Sequence, residues 1–418
     1  MKSYKTLRSI SYNDLDEYEN TIKKRKESDS CLFTGLYIQS FEPKMQILLP
    51  EEQELFFLVL PETSLLKDKL NENSREIDKL MNNLSEITKD NIFYHLLIDE
   101  IQASNDIEGV ISTRKEIREA ISMILEKSKE NKRFKSLVYQ YMNFRKSKFS
   151  QITKIEDIRE IYDNLLNGEV SEEDSLEDDE LFRAEPVFIV NQNSGKKVHQ
   201  GATGQDTIKN RLEDLVKFMN RDDIPTYEKA FISHFYFENT HPFYDGNGRT
   251  GRFILCSYLA RKLDYLSAVG VSVAILENRS KYYKAFEEGS HPKNVGEITS
   301  FIFDMFGIVL KAQQKVLNSL KDWDKKLEQI RENIEKTGES RDEKSVIYPL
   351  AQARMYDNLR ELTDADLAEI NGISRQKLKK VVNVLKEKGY LIQTKQKPSM
   401  HEITDELWDQ IKYIEEIN

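Results

Sequence analysis

A chain of 418 residues is long enough for two or three domains, and 39% hydrophobic residues supply material for real cores. Charged residues make up 32%, and 62 Lys and Arg against 72 Asp and Glu leave a net charge of −10, which argues against non-specific nucleic-acid binding by the whole protein. Cys31 and Cys256 lie far apart, give no disulfide framework and fit a reducing compartment. Met1 to Tyr12 lacks the apolar core of a signal peptide, and Leu55 to Leu60 is too short to cross a bilayer. A cytoplasmic protein without membrane contact is expected, unless it is exported without a conventional signal.

In chain order, Tyr12 to Lys26 reads as a polar helix, and Leu32 to Ile38 as a strand interrupted by Gly35. Leu55 to Leu60, stopped by Pro61, fits a strand or a short buried helix equally. Thr63 to Leu84 is an amphipathic helix through Leu66, Leu70, Ile77 and Met81. Ile92 to Ile107 is another, running into Ser104-Asn105-Asp106-Ile107-Glu108-Gly109. Ser104 and Glu108 share a helix face, and Gly109 suits a left-handed cap. By itself this is a helix end with a solvated glutamate. Helices follow over Ser112 to Leu125, Phe134 to Phe149 and Lys154 to Leu166; the acidic run Ser171 to Glu180 reads as a solvated loop. Pro186 to Val198 is the one clear hairpin candidate. Val187, Phe188, Ile189 and Val190 are β-rich, Asn191 to Gly195 is turn chemistry, and Lys196 to His199 returns through Val198. Thr207 to Met219 is again helical.

The chemistry concentrates in His241-Pro242-Phe243-Tyr244-Asp245-Gly246-Asn247-Gly248-Arg249-Thr250-Gly251-Arg252, a loop between two helical patterns. Glycines at a helix start allow close approach of backbone N–H groups to an anion. Arg249 and Arg252 share one helix face and suit phosphate oxygens. Asp245 can hold Mg²⁺ against such phosphates, and His241 can take a proton near neutral pH. Gly246, Gly248 and Gly251 also spell a dinucleotide fingerprint, but the preceding segment reads as helix rather than strand, which excludes it. His234 and Cys256 are badly placed for a zinc site. Cys256 reads as a small buried residue.

At every fixed position this stretch resembles the signature of the Fic family, H-x-F-x-[DE]-G-N-G-R-x-x-R. The resemblance covers roughly residues 90–310 and implies a mainly helical fold with a β-hairpin flap. It implies transfer of AMP from ATP–Mg²⁺ to a Ser, Thr or Tyr hydroxyl of a target protein. His241 would be the general base and Asp245 the Mg²⁺ ligand. Gly246, Asn247 and Gly248 would cradle the α- and β-phosphates, and Arg249 and Arg252 would hold the β- and γ-phosphates. Ser104 to Gly109 resembles the family's inhibitory motif, [ST]-x-x-x-E-[GN]. Glu108 would then pair with Arg252 and deny it to the γ-phosphate. Alternatively, Glu108 would align a water that removes AMP from a modified target. The hairpin, through Val187, Phe188, Ile189 and Val198, would dock the target's backbone. Ser272 to Phe286 would line the adenine and ribose pocket, with Asn278 and Tyr283 as candidates.

Val316, Leu320, Trp323, Leu327, Ile330 and Ile334 form a heptad-like stripe ending at Gly338, which could pack on the core, bridge domains or join two copies of the chain. Thr363 to Ile370, a turn at Asn371 to Ile373, a helix over Ser374 to Lys388 and a ribbon from Gly389 through Gln396 read as a winged helix-turn-helix. Arg375, Lys377, Lys379, Lys380, Lys386, Lys388, Lys395 and Lys397 make it basic, so contact with DNA or with a protein is expected there. A DNA-binding regulator that senses nucleotide is thus a further reading. The resulting layout is an N-terminal region over 1–89, a helical core over 90–310, a linker helix over 311–344 and a winged helix over 345–418.

Overall fold

The computed structural model describes residues 4–413 except 43–44, 83, 150, 178–179, 191–196 and 360. The expected hairpin turn, Asn191 to Gly195, therefore lies outside the described residues, as does the side chain of Val198. Short helices α1 (Leu7–Ser11) and α2 (Leu15–Lys26) precede a long antiparallel hairpin, β1 (Cys31–Glu42) and β2 (Ile47–Leu58). This hairpin corrects the expectation of one clear hairpin. Gly35, at φ 73°, sits in a register shift between Phe33 and Tyr37, and Pro50 lies within β2. A bulge and a strand proline both break the alternation that signals a strand.

The helical body begins with α3 (Pro61–Asn82) and α4 (Glu86–Glu108), followed by α5 (Arg114–Leu125), α6 (Lys135–Arg145) and α7 (Ile155–Leu166). Ser85 caps α4 by accepting from the Thr88 amide at 3.2 Å, and Gly109 at φ 74° ends it. Apolar residues surround α4 on all sides, including Phe93, Leu97, Ile98 and Ile101, so it is an inner helix. A second hairpin, β3 (Phe188–Val190) and β4 (Lys197–Gln200), leads into α8 (Gln205–Met219). Next come the two central helices, α9 (Thr226–Thr240) and α10 (Asn247–Lys262), buried along nearly their whole length. Then follow α11 (Tyr265–Ala268), α12 (Val271–Glu277) and α13 (Arg279–Gly289).

A 38-residue helix, α14 (Thr299–Lys336), joins the two cores. Its first half packs in the main core through Phe301, Phe306, Val316 and Leu320, while Ile330 and Ile334 enter a smaller second core. The heptad-like stripe is thus buried within the chain, and the helix runs unbroken across residue 311 from Thr299. The smaller core is closed by α15 (Arg341–Met355), α16 (Asp364–Ile370), α17 (Arg375–Glu387), the hairpin β5 (Leu391–Gln396) and β6 (Ser399–Ile403), and α18 (Asp405–Ile411). Ile87, in the first turn of α4, is buried in this second core. Among the described residues no helix is long and apolar enough to cross a membrane.

Candidate active site

The site is built where α9 stops. His241 caps that helix in the left-handed region, φ 53° and ψ 63°, and its amide donates to Phe237 O at 2.9 Å. For a residue with a Cβ this conformation costs roughly 1 kcal/mol, so its surroundings must hold it. Beyond it, Asn247 donates from Nδ2 to Phe243 O at 2.7 Å and accepts from the Phe243 amide at 2.8 Å, closing the loop. The Phe243 ring stacks on Tyr162 with centroids 3.7 Å apart. Gly246, at φ 75°, opens α10; a Cβ there would meet Leu166 Cδ1 at 2.1 Å, so only glycine fits.

A cavity of about 700 Å³ lies over the start of α10. His241, Gly248 and Arg252 form one wall, and Glu108 reaches in from the end of α4. Val187, Phe188 and Ile189 cover a second side, and Tyr283 a third. Arg252 is almost fully buried and spends all three nitrogens on α4. Nε donates to Ser104 Oγ at 3.1 Å, Nη2 to Ser104 O at 2.9 Å and Nη1 to Glu108 Oε1 at 2.7 Å. A Cβ at Gly248 would meet Glu108 Oε1 at 2.1 Å, so the carboxylate lies against the first turn of α10, where a bound anion would sit.

These contacts set the charge states. Burial pushes the Glu108 carboxyl up, but the charge and hydrogen bond of Arg252 outweigh it and hold the group below its ordinary value. Burial, helped by His199 and Arg183, lowers His241 to about 4, so its imidazole is neutral at pH 7. Its Nδ1 faces Glu238 O at 3.3 Å. A carbonyl only accepts, which assigns the proton to Nδ1 and leaves the Nε2 lone pair to take another. Burial raises the Glu238 carboxyl to about 8, with Glu108 adding to the rise and Arg252 opposing it. That carboxyl lines the same cavity.

Several expected residues stand elsewhere. Arg249 does not line the cavity; its Nη1 pairs with Glu169 Oε2 at 2.9 Å and its Nη2 with Asp245 Oδ2 at 3.2 Å, with both Arg249 and Glu169 buried. Asp245 and Gly246 lie beside the cavity rather than in its wall, and the Asn247 side chain is consumed by the loop. Asn278 is turned away: it donates to Ala274 O at 2.8 Å and accepts from Lys311, because it sits at the joint of α12 and α13. Tyr283 does face the cavity, partly exposed, with the Arg279 guanidinium 5.6 Å from its ring centroid. Ser104 stands behind Arg252, and Gly109 ends the helix that carries Glu108. His199 lines the cavity with Nε2 2.8 Å from Asn239 O. Sequence reading missed Arg183, Glu169 and Glu238. Only Glu238, one helical turn before His241, carried a positional signal.

Residues 151–259 match the family model described as the Fic/DOC family. Protein adenylyltransferase fic-1 of Caenorhabditis elegans is 32% identical over 95 residues, covering 22% of this chain and 17% of the relative. Protein adenylyltransferase Fic of Drosophila willistoni is 29% identical over 168 residues, covering 40% of this chain and 29% of the relative. The chain therefore spans less than a third of the length of these curated relatives. A crystal structure of a Fic family protein from Desulfovibrio desulfuricans covers 83% of this chain and 97% of its own, at TM-score 0.47 and 18% identity. Together the family match and the curated relatives support a Fic-type domain here, of the kind found in protein adenylyltransferases.

Proposed function

We propose that the chain is a nucleotidyltransferase that moves AMP from ATP–Mg²⁺ to a Ser, Thr or Tyr hydroxyl of a target protein, and that Glu108 holds it inactive. The supporting observation is the Glu108–Arg252 pair at 2.7 Å, laid over Gly248. While Arg252 is engaged by α4, it is not offered to a phosphate. Displacement of Glu108 frees both the guanidinium and the first turn of α10. Neutral His241 then accepts the proton of the attacking hydroxyl at Nε2. The hydroxyl oxygen bonds to the α-phosphorus as the bond to the β-phosphate oxygen breaks, pyrophosphate leaves, and the freed Arg252 charge would neutralise that leaving group.

Among the described residues no group of three His, Cys, Asp or Glu could hold a metal ion. The half-exposed Asp245 carboxylate on its own fits Mg²⁺, which keeps waters and takes phosphate oxygens. When bound, the ion neutralises triphosphate charge. The free edge of β3, beside Val187 to Ile189, suits strand addition by the target. Cytoplasmic action belongs to the same reading. Incubation with labelled ATP and Mg²⁺ tests it. Glu108→Gly should label itself or lysate proteins strongly and His241→Ala should not; equal labelling sinks the proposal.

A second reading keeps the site and reverses the chemistry, with Glu108 aligning water to remove AMP. It is favoured by a carboxylate that opens partly to the cavity and acts electrostatically on His241. Release of AMP from a pre-modified target by wild type, lost in Glu108→Ala, would support it. We also propose that residues 345–418 are a winged-helix module contacting DNA or protein through α17, whose Arg375, Lys379 and Lys380 are exposed. Intramolecular pairing already engages Lys377 with Asp342, Lys388 with Glu339 and Glu343, and Lys395 with Glu126. A salt-dependent shift of DNA would favour the nucleic-acid partner.

A further inference from the structure

Among the described residues Arg183 and Arg252 are the largest fully buried side chains, and Arg183 is at 0% exposure. It lies just ahead of β3, outside the signature stretch. Its guanidinium donates only to backbone carbonyls. Nε reaches His241 O at 2.7 Å, Nη2 reaches Ala202 O at 2.8 Å and Thr240 O at 3.3 Å, and Nη1 reaches Glu185 O at 2.5 Å. Its own amide donates to Pro242 O at 3.1 Å. Among the described residues no carboxylate forms an ion pair with it. A buried cation without a counter-charge is costly, and apolar packing could fill the same space. What an apolar side chain cannot supply is a planar fork of donors spanning several carbonyls.

The acceptors belong to three segments. Glu185 precedes β3, Ala202 follows β4, and Thr240 and His241 end α9. Arg183 therefore ties both ends of the hairpin to the left-handed backbone of His241. The hairpin closes on the same point: Gly201 N donates to Val187 O at 3.0 Å, and Ala202 N to Thr240 O at 3.0 Å. A Cβ at Gly201 would meet Arg183 Nη2 at 2.4 Å and His241 Cβ at 2.9 Å. Glycine leaves the room that the fork requires.

We propose that Arg183 is a positioning residue for the transfer reaction, locking the imidazole of His241 and the target-docking hairpin into one fixed unit. This rests on the transferase reading for its kinetic consequences, though not for its electrostatic ones. The imidazole is faced by Glu108 from α4, His199 from β4, Arg183 from the segment before β3, and the Glu238 carbonyl of α9. Of the charged groups, Arg183 lowers the His241 pKa and Glu108 raises it. Removing the Arg183 charge should therefore raise the pKa of the His241 imidazole.

The experiment uses the full chain in a Glu108→Gly background, with MgATP, comparing Arg183 with Arg183→Lys and Arg183→Met. Intact mass over time reads self-labelling, and nuclear magnetic resonance titration reads the His241 imidazole. Arg183→Lys should lower the transfer rate constant about 10- to 100-fold. The ATP concentration for half-maximal rate should change by less than about twofold, because the residue touches no phosphate position. Arg183→Met should move both the imidazole titration and the acid limb of the rate profile to higher pH. Unchanged rate and unchanged titration overturn the inference. If Glu108→Gly itself labels nothing, the transferase reading fails, and the imidazole titration alone decides the role of Arg183. Should Arg183→Met not fold, Gly201→Ala, whose methyl would displace Nη2, is read by the same two measurements.

Discussion

Two helix–turn–helix pairs dominate the molecule, and both carry clustered positive charge. At the start of α10 the cations are buried, Arg249 held by Glu169 and Asp245 and Arg252 by Glu108 and Ser104, and Arg183, ahead of β3, is held against the end of α9 by carbonyls; Arg261 and Lys262 at the far end of α10 are exposed. Both helices are buried on nearly every face, their polar residues included. In α16–α17 the pattern is amphipathic. Leu378, Val381, Val382 and Leu385 face the small core, while the basic residues point outward. The same residue types thus do different physics. A buried guanidinium is fixed in advance and acts at full strength in a low dielectric; an exposed lysine is screened and interchangeable. The first pair is built as a reaction site, the second as a surface.

The difference can be broken experimentally. The largest effect is expected at His241: replacing it by Ala in a Glu108→Gly background should reduce AMP transfer about 10²- to 10⁴-fold, read as intact-mass gain. Acid should separate the pairs next. Burial lowers His199 and His241 to about 4 and His234 to about 3. Each folded value lies below the unfolded value, so the stability these groups contribute is complete above about pH 6.5 and is lost as pH falls towards 4. The total should be of the order of several kcal/mol, seen as hydrogen exchange that accelerates in α9–α10 before α16–α17. Third, Glu169→Ala leaves Arg249 buried beside the half-exposed Asp245 alone, and should cost about 3 kcal/mol in a denaturant titration. Smallest of all, Lys380→Ala should change stability by less than about 0.5 kcal/mol and leave AMP transfer untouched. A large loss from Lys380→Ala would erase the distinction between the two pairs.

Much of this was legible wherever one segment held the information. The loop from His241 to Arg252 carries base, carboxylate, glycines and arginines within a single run. Gly109 advertised the end of α4, and the structure brings Glu108 to Arg252 across 144 positions. What stayed hidden depends on partners that sequence does not mark. Carbonyls are the ligands of Arg183, and every residue has one. Glu169 stands close to a run of acids, so nothing singled it out as the partner of Arg249. The sequence neighbourhood of Asn278 suggests the nucleotide pocket, but its amide caps a helix joint. The β1–β2 hairpin was obscured by Gly35 and Pro50, and the stripe on α14 gave the periodicity without saying which surfaces would cover it.

Helix α4 has a consequence of its own. Its first turn anchors in the C-terminal core through Ile87, and its last residue is Glu108 in the cavity. Over 23 residues at 1.5 Å each it is a rod of about 35 Å. Its backbone hydrogen bonds run without interruption, so it resists stretching and compression. The two cores are thereby set to one gauge length: the separation that seats Ile87 at one end also fixes how far the carboxylate protrudes at the other. A one-residue insertion or deletion midway would rotate and shift one anchor out of place, whichever core kept its grip.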